Sequence, residues 1–523
     1  MTQWTNAATG DAEAPAAFPL TSGHFRNPVL PGCHPDPSIC RVGEDYYLVT
    51  STFAWFPGVP VFHSRDLVHW RQLGHVLDRP SQLDLDGVAS SDGVYAPTIR
   101  HHDGVFYLIT TLVGGGGNFV VTATDPAGPW SDPHWLPETR GIDPSLFFDD
   151  DGTAWVLGTR EKSEGRYPGE TEVWLRRLDG LTPAGDEHVI WEAVQRRAVW
   201  SEGPHLYRIG DWYYLLTAEG GTARDHAVMI ARSRHVTGPY EPDPRNPVLT
   251  HRAKGRDHPI ACTGHADLVD TPAGEWWMVL LATRPYGGDF PNLGRETFLT
   301  PVTWEDGWPV VGEVTPVRRA PALAPHRWPA APACDHFDGV RLSPVWNHLR
   351  TPREPYWSLS GGRLLLRARP ETLAGRENPS LVARRQQHRD FAAHAALDFT
   401  PEGDECAGLA LVQNEDFHIL LVLAARGLEL RVREAGAERL LARADVPPGR
   451  VHLGVEASGQ DYRARYAVRP GEWRDLGGPV DGRILSSTVA GGFTGAYIGM
   501  YASSNGHPSG NSAAFDWFEY LGL

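Results

Sequence analysis

Apolar and polar residues alternate along most of this chain, in short runs broken by Gly, Pro, Asn and Asp. In the later half the alternation is strict. In GLELRVREA, Leu428, Leu430 and Val432 fall on one side and Glu429, Arg431 and Arg433 on the other. DYRARYAV, GRLLLRAR and AAFDWFEYLGL keep the same period. A period of two marks strands with one buried and one solvated face, and predicts a two-layer antiparallel sandwich with solvated outer faces. The first 310 residues carry a different regularity. A small motif, usually with Pro, is followed by an apolar residue, a turn rich in Asp and Gly, and an aromatic strand. It occurs as DPSICRVGEDYYLVT from Asp36, APTIRHHDGVFYLIT from Ala96 and DPSLFFDDDGTAWVLG from Asp143. It returns as EGPHLYRIGDWYYLLT from Glu202 and HADLVDTPAGEWWMVL from His265. Each copy is followed by at least one more strand-like segment, so each unit is a small antiparallel sheet. Such units, repeating every ~40 to 60 residues, are the blades of a propeller, and five copies predict a five-bladed β-propeller.

The fold class expected is therefore all-β: a five-bladed β-propeller, then a β-sandwich of jelly-roll, concanavalin A-like type. The organisation expected is a disordered lead-in over 1–23, a propeller over 24–318, a Pro- and Ala-rich linker over 319–333, and a sandwich over 334–523.

Composition adds exclusions. The chain has 523 residues, more than one core usually holds, and a formal net charge of -16. That charge disfavours nucleic-acid backbones and anionic membranes as partners. The longest apolar runs, WWMVLLA and ILLVLAA, fall far short of the ~18 to 20 residues of a spanning helix. The opening MTQWTNAATGDAEAPAAFPL has neither a basic start nor an apolar core, so a secretory signal is not expected and a cytoplasmic location is. Five scattered cysteines without CxxC spacing argue against zinc and against a disulfide framework. The 19 Trp suit sheet packing or sugar stacking. A homo-oligomer is compatible with all of this.

The repeat makes a further prediction. The innermost strand of each blade lines the axis, so equivalent positions converge. The first position of the five copies reads Asp36, Ala96, Asp143, Glu202, His265. In the fourth copy one extra residue precedes Leu206, which predicts a bulge there. Three carboxylates brought together repel, and at least one should hold its proton. Such a set can cut an acetal: one carboxyl protonates the leaving oxygen and another activates water or attacks the sugar. The same oxygens could instead take Ca2+ or another divalent ion near the axis, although no contiguous run of ligands occurs and no cofactor is required.

These residues sit in motifs that resemble glycoside hydrolase family 43, in its β-xylosidase and α-L-arabinofuranosidase branch. The motifs are NPVLPGCHPDPSICRVGEDYYLVTSTFAWFPG, GVYAPTIRHHDG, GIDPSLFFDDDG, WSEGPHLYRIGDWYYLLTAEGGT, TGHADLV and LGRETFLTPVTWEDGWP. The resemblance spans nearly the whole chain. It implies that Asp36 is the general base, Glu202 the general acid, and Asp143 the group that tunes and orients the acid, in an inverting reaction. It implies that Arg295 contacts sugar hydroxyls and that His265 is the family's axial histidine, beneath the sugar or near a bound ion. Phe53 and Trp55 would be aromatic walls, and Phe493 of GGFTGAYIGM would close over the substrate from the sandwich. Tyr95 stands where β-xylosidases of the family often have Trp, so xylose and arabinofuranose both remain open. The function implied is exo-release of xylose from β-1,4-xylo-oligosaccharides and/or α-L-arabinofuranose from arabinoxylan fragments. The alternatives are a non-catalytic carbohydrate-binding propeller and an arabinanase with an open cleft.

Overall fold

The computed structural model describes residues 22–193 and 197–523. The lead-in expected over 1–23 lies outside the described residues up to residue 21. Five antiparallel sheets follow one another along the chain. The first is Ser38–Val42, Asp45–Val49, Gly58–Ser64 and Arg71–Leu77, in that spatial order. The second is built on Thr98–His102, Val105–Val113 and Gly117–Ala123, and the third runs Ile142–Phe148, Ala154–Glu161, Thr171–Asp179, Thr182–Glu192. The fourth is built on Glu202–Ile209, Trp212–Glu219 and Ala227–Ser233, and the fifth runs Ala261–Asp270, Trp276–Thr283, Arg295–Glu305, Trp308–Val311. The turns joining first and second strands carry Gly at positive φ, among them Gly43, Gly104 and Gly210, as tight hairpins demand.

The first strands determine the architecture. Ser38–Val42 packs on Thr98–His102, that strand on Ile142–Phe148, that one on Glu202–Ile209, and that one on Ala261–Asp270. Ala261–Asp270 packs back on Ser38–Val42, so the array closes on itself. The chain start reinforces the closure. Phe25 pairs in register with Arg318, and the Asn27 side chain bonds both the N–H and the C=O of Leu299, as a strand neighbour would.

The later half forms a nine-stranded and a six-stranded antiparallel sheet, face to face. Their shared core includes Phe391, Leu397, Leu409, Leu421, Leu453 and Phe515. The expectation of solvated outer faces fails for the six-stranded sheet. Along Cys406–Asn414, Leu409 and Leu411 enter the sandwich core, while Ala410 and Val412 join a second core with Val59 of the first sheet and with Trp55 and Leu83 from segments beside it. Ile419–Ala424 splits the same way between the two cores, which is why ILLVLAA is a continuous apolar run. Two further ties cross this boundary. His348–Leu349 pairs as a strand with Trp55–Phe56, and the buried Arg350 guanidinium bonds the Val88 carbonyl and pairs with Glu415. Among the described residues helix is confined to two single turns near residues 482–490, and none is long and apolar enough to cross a membrane.

Candidate active site

At one end of the ring the first strands deliver polar side chains into a cavity of about 300 Å³. Backbone conformation marks the spot. Fifteen described non-glycine residues have positive φ, and five of them line this cavity: Asp36 (54°), Phe53 (52°), Asp143 (52°), Trp200 (54°) and His265 (42°). Left-handed backbone is disfavoured for residues with a Cβ, and clusters of it are found where function demands an unusual side-chain direction. Asp36 and Asp143 each adopt it immediately before a proline. In the fourth sheet that slot belongs to Gly203 (58°), ahead of Pro204, and Glu202 is one residue earlier. The pairing register slips between Glu202 and His205, but it slips alike between Ile142 and Ser145 of the third sheet, which has no extra residue; what the extra residue marks is that Glu202 stands one place ahead of the Asp143 position.

The three carboxyls are all buried, yet their surroundings differ. Asp36 accepts hydrogen bonds from Ser51 Oγ (2.6 Å) and Arg295 Nη1 (2.9 Å), and His265 Nδ1 is 3.7 Å away. Burial pushes its pKa up, but Arg295, His265 and the Ser51 hydroxyl together outweigh burial and hold it below the ordinary aspartate value. Among the described residues, the one hydrogen bond to the Asp143 carboxyl comes from a backbone donor, Gly203 N, at 3.1 Å. Burial and the charge on Asp36 raise it to about 6, against the pull of His265. Glu202 is raised well above the usual range, by burial first and then by repulsion from Asp143 and Asp36. Asp143 and Glu202 titrate as a pair. At neutral pH the arrangement favours an ionised Asp36 opposite a protonated Glu202.

The remaining walls are aromatic and cationic. Phe53, Tyr95 and Phe493 form a cluster with centroids 5.6 to 6.2 Å apart. The Arg295 guanidinium lies over Phe53 and Phe493 at 5.6 and 5.7 Å. Phe493 comes from the sandwich, and its N–H bonds Ser91 Oγ at 2.9 Å. The His265 ring packs on Gly203, where a Cβ would come within 3.0 Å of it. Below lies a buried network in which Asp267 accepts from Ser38 Oγ, Arg100 Nη1 and the Tyr207 hydroxyl.

Eight of the nine residues expected in the site line this cavity: Asp36, Phe53, Tyr95, Asp143, Glu202, His265, Arg295 and Phe493. Trp55 does not. It is 2% exposed and stacked on Tyr497 at 3.7 Å, a contact that joins sheet and sandwich. Sequence reading passed over Trp200 and Thr222, which also line the cavity, and Ser51 and Ser91, which position others. Trp200 had a signal in its place two residues before Glu202. The serines had none, since each acts across a long-range contact.

Among the described residues no group of three His, Cys, Asp or Glu is placed to hold a metal. Asp267, the carboxylate below the site, already neutralises the Arg100 guanidinium.

Comparison with known proteins agrees with this construction. Residues 25–309 match the family described as Glycosyl hydrolases family 43, and residues 334–521 match the Beta xylosidase C-terminal Concanavalin A-like domain. A "Xylosidase/arabinosidase" of Butyrivibrio fibrisolvens is 43% identical over 511 residues, covering 94% of this chain and 98% of that protein. A "Non-reducing end alpha-L-arabinofuranosidase" of Bacteroides ovatus is 41% identical, covering 96% and 95%. The solved structure of a xylan beta-1,4-xylosidase from Bacillus halodurans superposes with a TM-score of 0.89 at 36% identity, covering 95% of this chain and 100% of that one.

Proposed function

The chain belongs to glycoside hydrolase family 43, and from that membership and the cavity's geometry we propose an inverting exo-glycosidase. It releases xylose from the non-reducing ends of β-1,4-xylo-oligosaccharides, α-L-arabinofuranose from arabinoxylan fragments, or both. The names of the similar proteins support both sugars. In this reading the five sheets are the five blades of a propeller, supported by the closed ring of first-strand contacts. The propeller occupies 24–318, a linker 319–333 and the sandwich 334–523.

The observation that carries the proposal is the opposed bias of Asp36 and Glu202 within one small cavity. Asp36, held ionised by Arg295 and Ser51, takes a proton from water as the water attacks the anomeric carbon. Glu202, held protonated, gives its proton to the leaving oxygen as the glycosidic bond breaks. Asp143 raises Glu202 by repulsion and is tied through Gly203 N to the residue beside it. Direct attack by water requires base and acid to stand ~6.5–9.5 Å apart and inverts the anomeric carbon. A cavity of about 300 Å³ is at the low end of the ~300–1,000 Å³ of small-ligand sites, and Phe493 walls one side. That suits a chain end rather than a chain interior. Incubation with xylobiose, nitrophenyl β-xyloside and nitrophenyl α-L-arabinofuranoside tests the proposal, with the first-formed anomer read by NMR. Release of the inverted anomer from at least one is expected. No release from any, or retention of configuration, refutes the reading.

A further inference from the structure

We propose that Trp200 is the platform on which the leaving-group sugar stacks, and that this sugar is a xylopyranosyl unit; the inference rests on the glycosidase reading above. Trp200 lines the same cavity as the carboxyls and is 37% exposed, one of three exposed large aromatics among the described residues. No other aromatic ring among the described residues packs against it. Its backbone is left-handed at φ 54°, a costly state for a bulky side chain. Two backbone bonds hold it there: Trp200 N donates to Gly169 O and Gly220 N to Val199 O, both at 2.8 Å. Two glycines then seat the indole. A Cβ on Gly169 would fall 3.1 Å from Cε2, and one on Gly221 would fall 3.1 Å from Cδ1. Both glycines have positive φ, so space and backbone alike disfavour a larger residue. The chain thus accepts backbone strain to hold a large apolar ring, partly open to solvent, at the edge of the cavity.

Position decides what the ring faces. Trp200 lies two residues before Glu202, which protonates the leaving oxygen, whereas Phe53, Tyr95 and Phe493 cluster around Arg295 and Asp36. The aromatic trio therefore walls the sugar being released, and Trp200 the sugar left behind. A flat indole matches the C–H face of a pyranose whose hydroxyls are all equatorial, as in xylose. A puckered furanose with an exocyclic hydroxymethyl group offers less of such a face. The platform accordingly favours a xylan backbone unit over an arabinan unit as leaving group, whichever sugar is released.

The test compares substrates with and without that sugar. Wild type, Trp200→Ala and Trp200→Phe are assayed on xylobiose, or on arabinofuranosyl-xylobiose if arabinofuranose is the sugar released, and on the fluoride of the same released sugar. Fluoride leaves without occupying the platform. For Trp200→Ala, kcat/KM on the oligosaccharide should fall about 10-fold, carried mostly by KM, and fall less than about 3-fold on the fluoride. Trp200→Phe should recover most of the oligosaccharide loss. Equal losses on both substrates, no loss on the oligosaccharide, or no recovery by Phe overturns the platform. Wild-type protein inert towards both substrates overturns the glycosidase reading itself, a failure distinct from these.

Discussion

The ring of sheets and the sandwich face the same cavity with different materials. The ring supplies charge. Asp36, Asp143 and His265 sit in left-handed backbone just before or within the first strands, and Asp143, Glu202 and His265 lie where the pairing register of those strands slips. The sandwich supplies one apolar ring on a glycine-flanked segment. Phe493 follows Gly491 and Gly492, and its segment is held from the ring side by Ser91 Oγ and from the six-stranded sheet by Gln413, whose Nε2 donates to Thr494 O at 2.9 Å. Charge whose direction must hold against repulsion comes from the rigid closed array. A wall that need only exclude solvent comes from a loop carried by a neighbour. The boundary between the two is nonetheless a continuous core, so the sandwich is part of the site's support rather than an appendage.

Variants can break this division of labour. The largest expected effect comes from the charge side. Asp36→Asn keeps a residue tolerant of left-handed backbone but removes the base, and should lower kcat on an oligosaccharide by roughly 10²–10⁴-fold with the fold intact. Arg350→Ala attacks the boundary. It removes a fully buried guanidinium from the Val88 carbonyl and strands Glu415, which also accepts from Ser90 N beside Ser91. Breaking a buried pair costs about 3–5 kcal/mol, so thermal unfolding should move to clearly lower temperature. A Tm unchanged within a degree would make the latch unimportant. Phe493→Ala tests the wall and should raise KM about 10-fold while kcat changes little. An equal loss in kcat would give the sandwich a share in the chemistry.

The smallest effect is a displaced pH profile. Activity requires Asp36 ionised and Glu202 protonated. The acid limb of kcat/KM should therefore fall below the ordinary aspartate value and the alkaline limb well above the ordinary glutamate value. Asp143→Asn removes a repelling charge, which lets Glu202 lose its proton more easily. The alkaline limb should then move to lower pH while the acid limb stays. An alkaline limb that rises or stays fixed would show that Asp143 does not tune Glu202.

Much of this was legible in the chain because the repeat is local. Each copy carries its own turn, strand and first residue, so the repeat brought Asp36, Asp143 and Glu202 to one end of the first strands, although the slot equivalent to Asp143 is Gly203 and Glu202 precedes it. The surplus residue of the fourth copy marks the place of Glu202 one step before the Asp143 position, whereas the bulge itself also occurs in the third sheet and had no such mark. What escaped depends on partners remote in sequence. Trp55 resembled a pocket wall because it neighbours Phe53, yet its ring is claimed by Tyr497 from the sandwich. The outer face of the six-stranded sheet was expected in water, although ILLVLAA carries no polar alternation at all. Phe493 followed only from family resemblance, since nothing in GGFTG points to a cavity built by another region. For Trp200 the one signal was its place two residues before Glu202; its left-handed backbone has no sequence signature, and its glycine seat is assembled from Gly169 and Gly221 in separate loops.

The central claim is that Asp36 works as base and Glu202 as acid. The glycosyl fluoride separates these roles most directly, because fluoride departs without a proton while water still needs a base. Glu202→Gln should lose most activity on an oligosaccharide yet keep most of it on the fluoride, and Asp36→Asn should lose both. If Glu202→Gln fails on the fluoride while Asp36→Asn retains it, the assignment of base and acid is wrong.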